Sequence, residues 1–192
     1  MPYIRFIDYK YRDLFKLPYG ENIVITTMEG TKKLLKCNYI DQTHTQIGNN
    51  VYHIAQFAEI ARKNGLIYSP EKPKQGDICD TYEIYQLRQR TEYRFESYDF
   101  AKDKLKPSDY KRVYAGVLAP NVTLGDIYSE HNMDNRPFNT KMYSLSVSDI
   151  VVINGGNNKT AHYVDKFDFK ELPDFAKAFA EKPPKQKNQH ER

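Results

Sequence analysis

The sequence predicts an α+β protein made of two small modules, each a short, mostly antiparallel sheet with one or two packed helices. Three observations carry that expectation. Short runs of β-branched and aromatic residues are separated by turn residues, without the regular spacing of βαβ units. One segment, residues 51–63, switches to a helical period. Between the halves, residues 69–76 hold two prolines, several charges and no large apolar side chain, the composition of a linker.

Each element follows from its own residues. Residues 2–8 read as a first strand, with Ile4 and Phe6 set against Tyr3, Arg5 and Ile7. Residues 22–27 and 32–40 read as two strands joined by the turn Met28-Glu29-Gly30-Thr31. In 51–63, Ile54, Phe57, Ala58 and Ala61 fall at i, i+3, i+4 and i+7, while Gln56, Glu59, Arg62 and Lys63 face outward. Gly65 then ends the helix. After the linker, residues 81–87 and 111–118 read as strands, with a short helix near 98–104. Thr123 and Asp126 have capping-box spacing ahead of a helix ending near Asn132. Residues 146–153 are rich in β-branched side chains, as in a strand buried on both faces. Asn154-Gly155-Gly156-Asn157 then reverses the chain into a returning strand at 160–169. Phe175, Ala178 and Phe179 mark a last helix, and 181–192 is a basic stretch without an apolar anchor, expected to be disordered. The expected organisation is a front module at 1–69, a linker at 70–79, a second module at 80–180 and a tail at 181–192. A front module of that size is marginal alone and is expected to pack on its neighbour.

Composition narrows the function classes. With 16 Tyr, 10 Phe and no Trp, the core must lean on aromatic rings, and tyrosine also serves at contact surfaces. No run approaches the length of a membrane span, the first residues do not form a secretory leader, and a cytoplasmic protein is expected. Cys37 and Cys79 lack a CxxC partner and read as two free thiols. The formal net charge of +4 divides as +4 over residues 1–75, −2 over 76–180 and +2 over 181–192. Its sign argues against an acidic decoy of the phosphate backbone.

The second module carries a resemblance. Tyr82-Glu83-Ile84-Tyr85-Gln86-Leu87, Leu124-Gly125-Asp126-Ile127-Tyr128 and the hairpin of 144–172 together resemble the YodL-like domain over about residues 80–175. That domain occurs in proteins carried by conjugative elements and plasmids of Gram-positive bacteria. In the front half, Cys37-Asn38-Tyr39-Ile40-Asp41, Tyr52-His53-Ile54 and Gln56-Phe57-Ala58-Glu59 resemble a module attached to polyvalent proteins of mobile elements. Small proteins encoded beside these modules are similar to anti-CRISPR proteins directed at type II-A Cas9. The resemblance therefore implies an inhibitor that binds Cas9, or the Cas9–guide RNA complex, and blocks its assembly or target loading.

No P-loop, dinucleotide fingerprint, HExxH, EF-hand loop or nucleophile elbow is present, and no cofactor or metal is expected. Gly155-Gly156 joins two strands and reads as a hairpin turn, not a phosphate loop. Glu130, His131 and Asp134 share a helical face, which suits either a hard cation or a solvated helix end. His162 alternates with Ala161 and Tyr163 and reads as a sheet-surface residue. His44, in the loop after the third strand, and His53, one turn into the helix, are the candidate base and acid of metal-free RNA cleavage, or simply structural histidines. The candidate binding set is a basic and aromatic run: Tyr85, Arg88, Arg90, Tyr93, Arg94 and Tyr98, with Lys111 and Arg112 beyond it. Its three arginines share parity in an extended chain, and Glu92 and Glu96 on that face would neutralise them. Three functions stay open: an inhibitor acting by binding, a ribonuclease trimming guide RNA through His44 and His53, and a non-catalytic accessory module of a conjugative element.

Overall fold

A computed structural model describes residues 3–73, 79–138, 141–155 and 158–181. Among these residues the architecture is α+β: two five-stranded antiparallel sheets, a two-stranded hairpin and four α-helices.

The hairpin pairs β1 (Tyr3–Ile7) with β2 (Asp13–Pro18). The first five-stranded sheet uses β3 (Glu21–Thr26), β4 (Lys32–Tyr39), β5 (His44–Ile47), β6 (Asn50–His53) and β7 (Ile67–Pro70), in the order β6-β5-β4-β3-β7. Between β6 and β7 runs α1 (Ile54–Lys63), whose buried residues include Phe57, Ala58 and Ala61 of the anticipated stripe. Hairpin, sheet and α1 share one aromatic core. Phe6 stacks on Phe15 at 4.7 Å between ring centroids, Phe15 on Tyr68 at 5.0 Å, and Phe57 lies 4.9 Å from Tyr68. Rings at these separations supply the burial that a low aliphatic content would otherwise lack.

The second sheet uses β8 (Thr81–Leu87), β9 (Tyr110–Val117), β10 (Ile150–Gly155), β11 (Asn158–Val164) and β12 (Phe169–Glu171), in the order β12-β11-β10-β8-β9. Its helices are α2 (Tyr98–Ala101), α3 (Leu124–Glu130) and α4 (Pro173–Glu181). Strand alternation divides the residues between two faces. Ile150 and Val152 pack with Tyr163, Leu172 and Phe175 under α4, while Val151 packs with Ile84, Tyr114 and Ile127 under α3. Ile150, Val151 and Val152 are thus all fully buried, the outcome that their β-branched run anticipates. Thr123 caps α3 in a reciprocal box: the Asp126 amide donates to Thr123 Oγ1, and the Thr123 amide donates to Asp126 Oδ2.

Contacts join the sheets. Arg62 of α1 pairs with Glu59 and reaches Glu130 of α3, and the Tyr114 hydroxyl donates to the Arg62 carbonyl at 2.9 Å. Arg112 donates to the Met28 carbonyl at 2.8 Å and pairs with Glu83 at 3.0 Å. Ala119, beyond β9, is buried in the core of the first sheet.

Several elements differ from expectation. Residues 50–53 are strand, and α1 begins at Ile54 because the His53 imidazole accepts the Ala55 amide as the cap. Ser69 and Pro70, read as the opening of the linker region, close β7 against β3. The four-residue β5 and β6, joined through Gly48 at φ 61°, are too short and polar to announce themselves. Linker residues 74–78, Gly156-Asn157 of the reversal and residues 182–192 lie outside the described residues. Among those described, no helix is long and apolar enough to cross a membrane.

Candidate anion-binding cleft

At the end of β8 the chain leaves the sheet through Leu87 and Arg88, whose amide donates to the Asp109 carbonyl at 2.8 Å. The following residues fold back over the sheet end as turns, and Phe95 takes a left-handed φ of 66°. Its amide donates to Ser148 Oγ at 3.1 Å, and Ser148 itself stands at φ 78°. Two residues in a backbone region that L side chains seldom occupy thus hold one another.

Below them, Gln86 clamps the other wall. Its Nε2 donates to Asp149 Oδ2 at 2.9 Å, and its Oε1 accepts the Tyr143 amide at 3.2 Å. The Ser146 amide donates to the same Asp149 oxygen at 2.9 Å. Residues 143–149 are thereby fixed against β8, with a cleft of about 490 Å³ between this wall and the turns after β8. Six cations line the cleft: Arg88, Arg90, Arg94, Lys111, Arg136 and Lys141. None of the six forms an ion pair among the described residues, whereas the arginines outside it, Arg5, Arg12, Arg62 and Arg112, each do. The Arg136 Nε is enclosed without a hydrogen-bond partner among the described residues.

Asp149 is the one carboxylate in the lining. Burial pushes its pKa up to about 7, against the opposing pull of its hydrogen bonds from Gln86 and Ser146 and the charge of Arg94. Desolvation of the charged form outweighs the two donors.

The structure divides the eight candidate binding residues. Arg88, Arg90, Arg94 and Lys111 line the cleft. Tyr85 is instead buried, stacked on Phe179 at 4.1 Å, and Tyr93 is buried with its hydroxyl donating to Asp109 at 2.7 Å. Tyr98 packs 5.7 Å from Tyr163. Lys111 and Arg112 are neighbours in a strand and so point to opposite faces, which sends Arg112 to Glu83 and Met28. The anticipated neutralisation of the arginines does not occur, since Glu92 pairs with Lys104 and neither it nor Glu96 lines the cleft.

Sequence reasoning missed Gln86, Arg136, Lys141, Tyr143 and Asp149, while Phe95 lies within the basic and aromatic run that it singled out. Gln86, a polar residue inside an apolar strand, was the available signal; Arg136 and Lys141 are isolated in polar sequence and gave none.

The histidine pair is also brought together. His44 begins β5 and His53 ends β6, directly opposite in register, with rings 5.4 Å apart at 88°. His44 Nδ1 contacts Asp41 Oδ1 at 3.2 Å, and His53 Nδ1 accepts the Ala55 amide at 3.2 Å. Donors from Thr43, backbone amide first, hold Asp41 down to about 2. His131, by contrast, is fully buried between Tyr82 and Tyr114, with Nε2 2.9 Å from the Tyr82 hydroxyl. Burial lowers its pKa to about 3, and Glu130 is engaged by Arg62. Among the described residues no cluster of three His, Cys, Asp or Glu side chains could hold a metal. His162 is half-buried on β11, its Nε2 2.9 Å from Thr160 Oγ1. Cys37 and Cys79 are free thiols.

Residues 81–175 match the family model of the YodL-like domain. No curated protein and no solved structure matches the chain.

Proposed function

Taking residues 81–175 as a YodL-like domain, we propose that this protein works by binding, and that its cleft seats the phosphate chain of a nucleic acid. The observation that carries the reading is the convergence of six cations, none in an ion pair among the described residues, on one concave surface of a module whose net charge is slightly negative. Arg94 and Lys141 lie over the rings of Phe95 and Phe138 at 4.8 and 5.3 Å, which leaves their charge uncompensated, and cations not neutralised by carboxylates suit a polyanion. Arginine supplies four of them and can fork onto phosphate oxygens. The nucleic acid is the guide RNA of a Cas9-type effector, and occupation of the cleft blocks effector assembly or target loading. The choice of effector rests on the mobile-element setting that the YodL-like resemblance implies.

The test measures binding of guide RNA, free and loaded on Cas9, over a salt series, together with target cleavage. The Arg88→Ala, Arg90→Ala, Arg94→Ala triple variant should lose roughly a hundredfold in affinity at low salt and relieve inhibition. Its salt dependence should be shallower by about the number of phosphates released. Equal binding and inhibition by this variant, or salt-independent attachment to Cas9 lacking RNA, would sink the reading.

The opposed rings of His44 and His53 favour a second reading, metal-independent cleavage of guide RNA. His53→Asn, which can still cap α1, combined with His44→Ala separates the two. Intact RNA with the native protein, and full inhibition by the double variant, would exclude cleavage.

A further inference from the structure

The cleft has features that a simple phosphate groove does not need. Its volume of about 490 Å³ lies within the range that encloses a small molecule, roughly 300–1,000 Å³. Two exposed rings stand in its lining, Phe95 at 56 % and Tyr143 at 76 % relative exposure. Both are held from behind: the Phe95 amide by Ser148 Oγ, the Tyr143 amide by Gln86 Oε1. A strained left-handed backbone at Phe95 is thus maintained by a specific bond, and its result is a half-exposed ring with the Arg94 guanidinium 4.8 Å from its centroid. The other wall is polar. Asp149 Oδ2 is occupied by two N–H donors, whereas its Oδ1 makes no hydrogen bond to the described residues.

Resting on the phosphate-binding reading, we infer that this cleft accepts an unpaired nucleotide of a single strand. The base stacks on Tyr143 and offers its edge to Asp149 Oδ1, and the flanking phosphates lie on the arginines, with Arg94 over the Phe95 ring. Stacking on aromatic rings tolerates any base and requires the base to be unstacked from its neighbours, which a duplex denies. The Asp149 carboxyl pairs with a base edge, accepting from N–H groups when ionised and donating from Oδ1 when it holds its proton. The cations alone would grip single and double strands alike.

The test uses the full chain at fixed ionic strength with a fluorescent RNA of about 12 nucleotides carrying a central 2-aminopurine, a length within known single-strand site sizes. The same RNA annealed to its complement and the same sequence as DNA complete the set. The expected result is tenfold or greater preference for the single strand over the duplex, with quenching of the 2-aminopurine on binding. Tyr143→Ala, at an exposed position that carries no packing load, should weaken single-strand binding about tenfold and reduce quenching, leaving the salt slope and the duplex unchanged. Arg88→Ala should weaken both and flatten the slope by about one phosphate. Equal affinity for duplex and single strand with a neutral Tyr143→Ala, while Arg88→Ala still weakens both, overturns the unpaired nucleotide and leaves the anion-binding cleft standing. Failure of every nucleic acid to bind overturns both. Single-stranded DNA binding as well as RNA supports the stacked nucleotide and counts against guide RNA as its source.

Discussion

Asp149 combines two demands that oppose each other: it must accept two N–H bonds, which favours a carboxylate, and it must lie out of water, which disfavours one. Burial wins, so the folded state binds its proton more tightly than the unfolded chain, about 7 against 3.8. The sign follows from proton linkage. Between about pH 4 and pH 7 the folded state holds more protons, so rising pH lowers stability through that window and leaves it level above. Asp149→Asn keeps an oxygen for both donors and removes the charge. It should flatten this profile and gain about 1–3 kcal/mol above pH 7, measured by urea unfolding at pH 5 and pH 8. Arg112 gives the complementary case. Its guanidinium is committed to Glu83 and to the Met28 carbonyl, so Arg112→Ala should cost about 1–3 kcal/mol of stability in the same assay and leave nucleic-acid affinity unchanged. The sequence places Lys111 and Arg112 side by side as equals. Only the strand's pairing tells which of the two faces the cleft.

The elements were legible in proportion to their length and periodicity. The stripe of α1, the capping box of α3 and the doubly buried β10 each follow from local residues, because burial imposes a period that side chains must respect. β2, β5, β6 and β7 escaped because their pairing is decided by partners distant in the chain, not by their own composition. Gly65 shows how tightly such distant parts meet. It follows α1 at φ 56°, and a Cβ there would stand 2.7 Å from the Ala115 carbonyl oxygen of β9. Gly65→Ala should therefore destabilise the protein by about 2–3 kcal/mol, more than left-handed strain alone, as read from the midpoint of thermal unfolding. A cost of only a few tenths would mean that the two sheets separate easily.

At the scale of the whole molecule, the fold class was readable and the cleft only half so. Tyrosine and phenylalanine were expected to fill the core, and they do, which is why Tyr85 and Tyr93 are unavailable as contact residues. Charge was misleading in a different way. Totals over long segments put the basic excess in the front part and tail, yet the cleft cations all come from within residues 76–180, where the sum is −2. The acids of that segment lie on other surfaces or in pairs, so a slightly negative sum conceals a segregated field. Arg136 and Lys141 enter the cleft from the segment ahead of the 143–149 wall, which Gln86 ties to β8 and Asn132 holds at the Leu145 carbonyl.

That tie, made by a single glutamine amide, sets what the proposed binding would cost in order. A wall already anchored before contact has no ordering entropy left to lose when a ligand arrives. For the proposed nucleic-acid ligand the expected outcome is an association rate that falls with added salt, read by stopped-flow mixing.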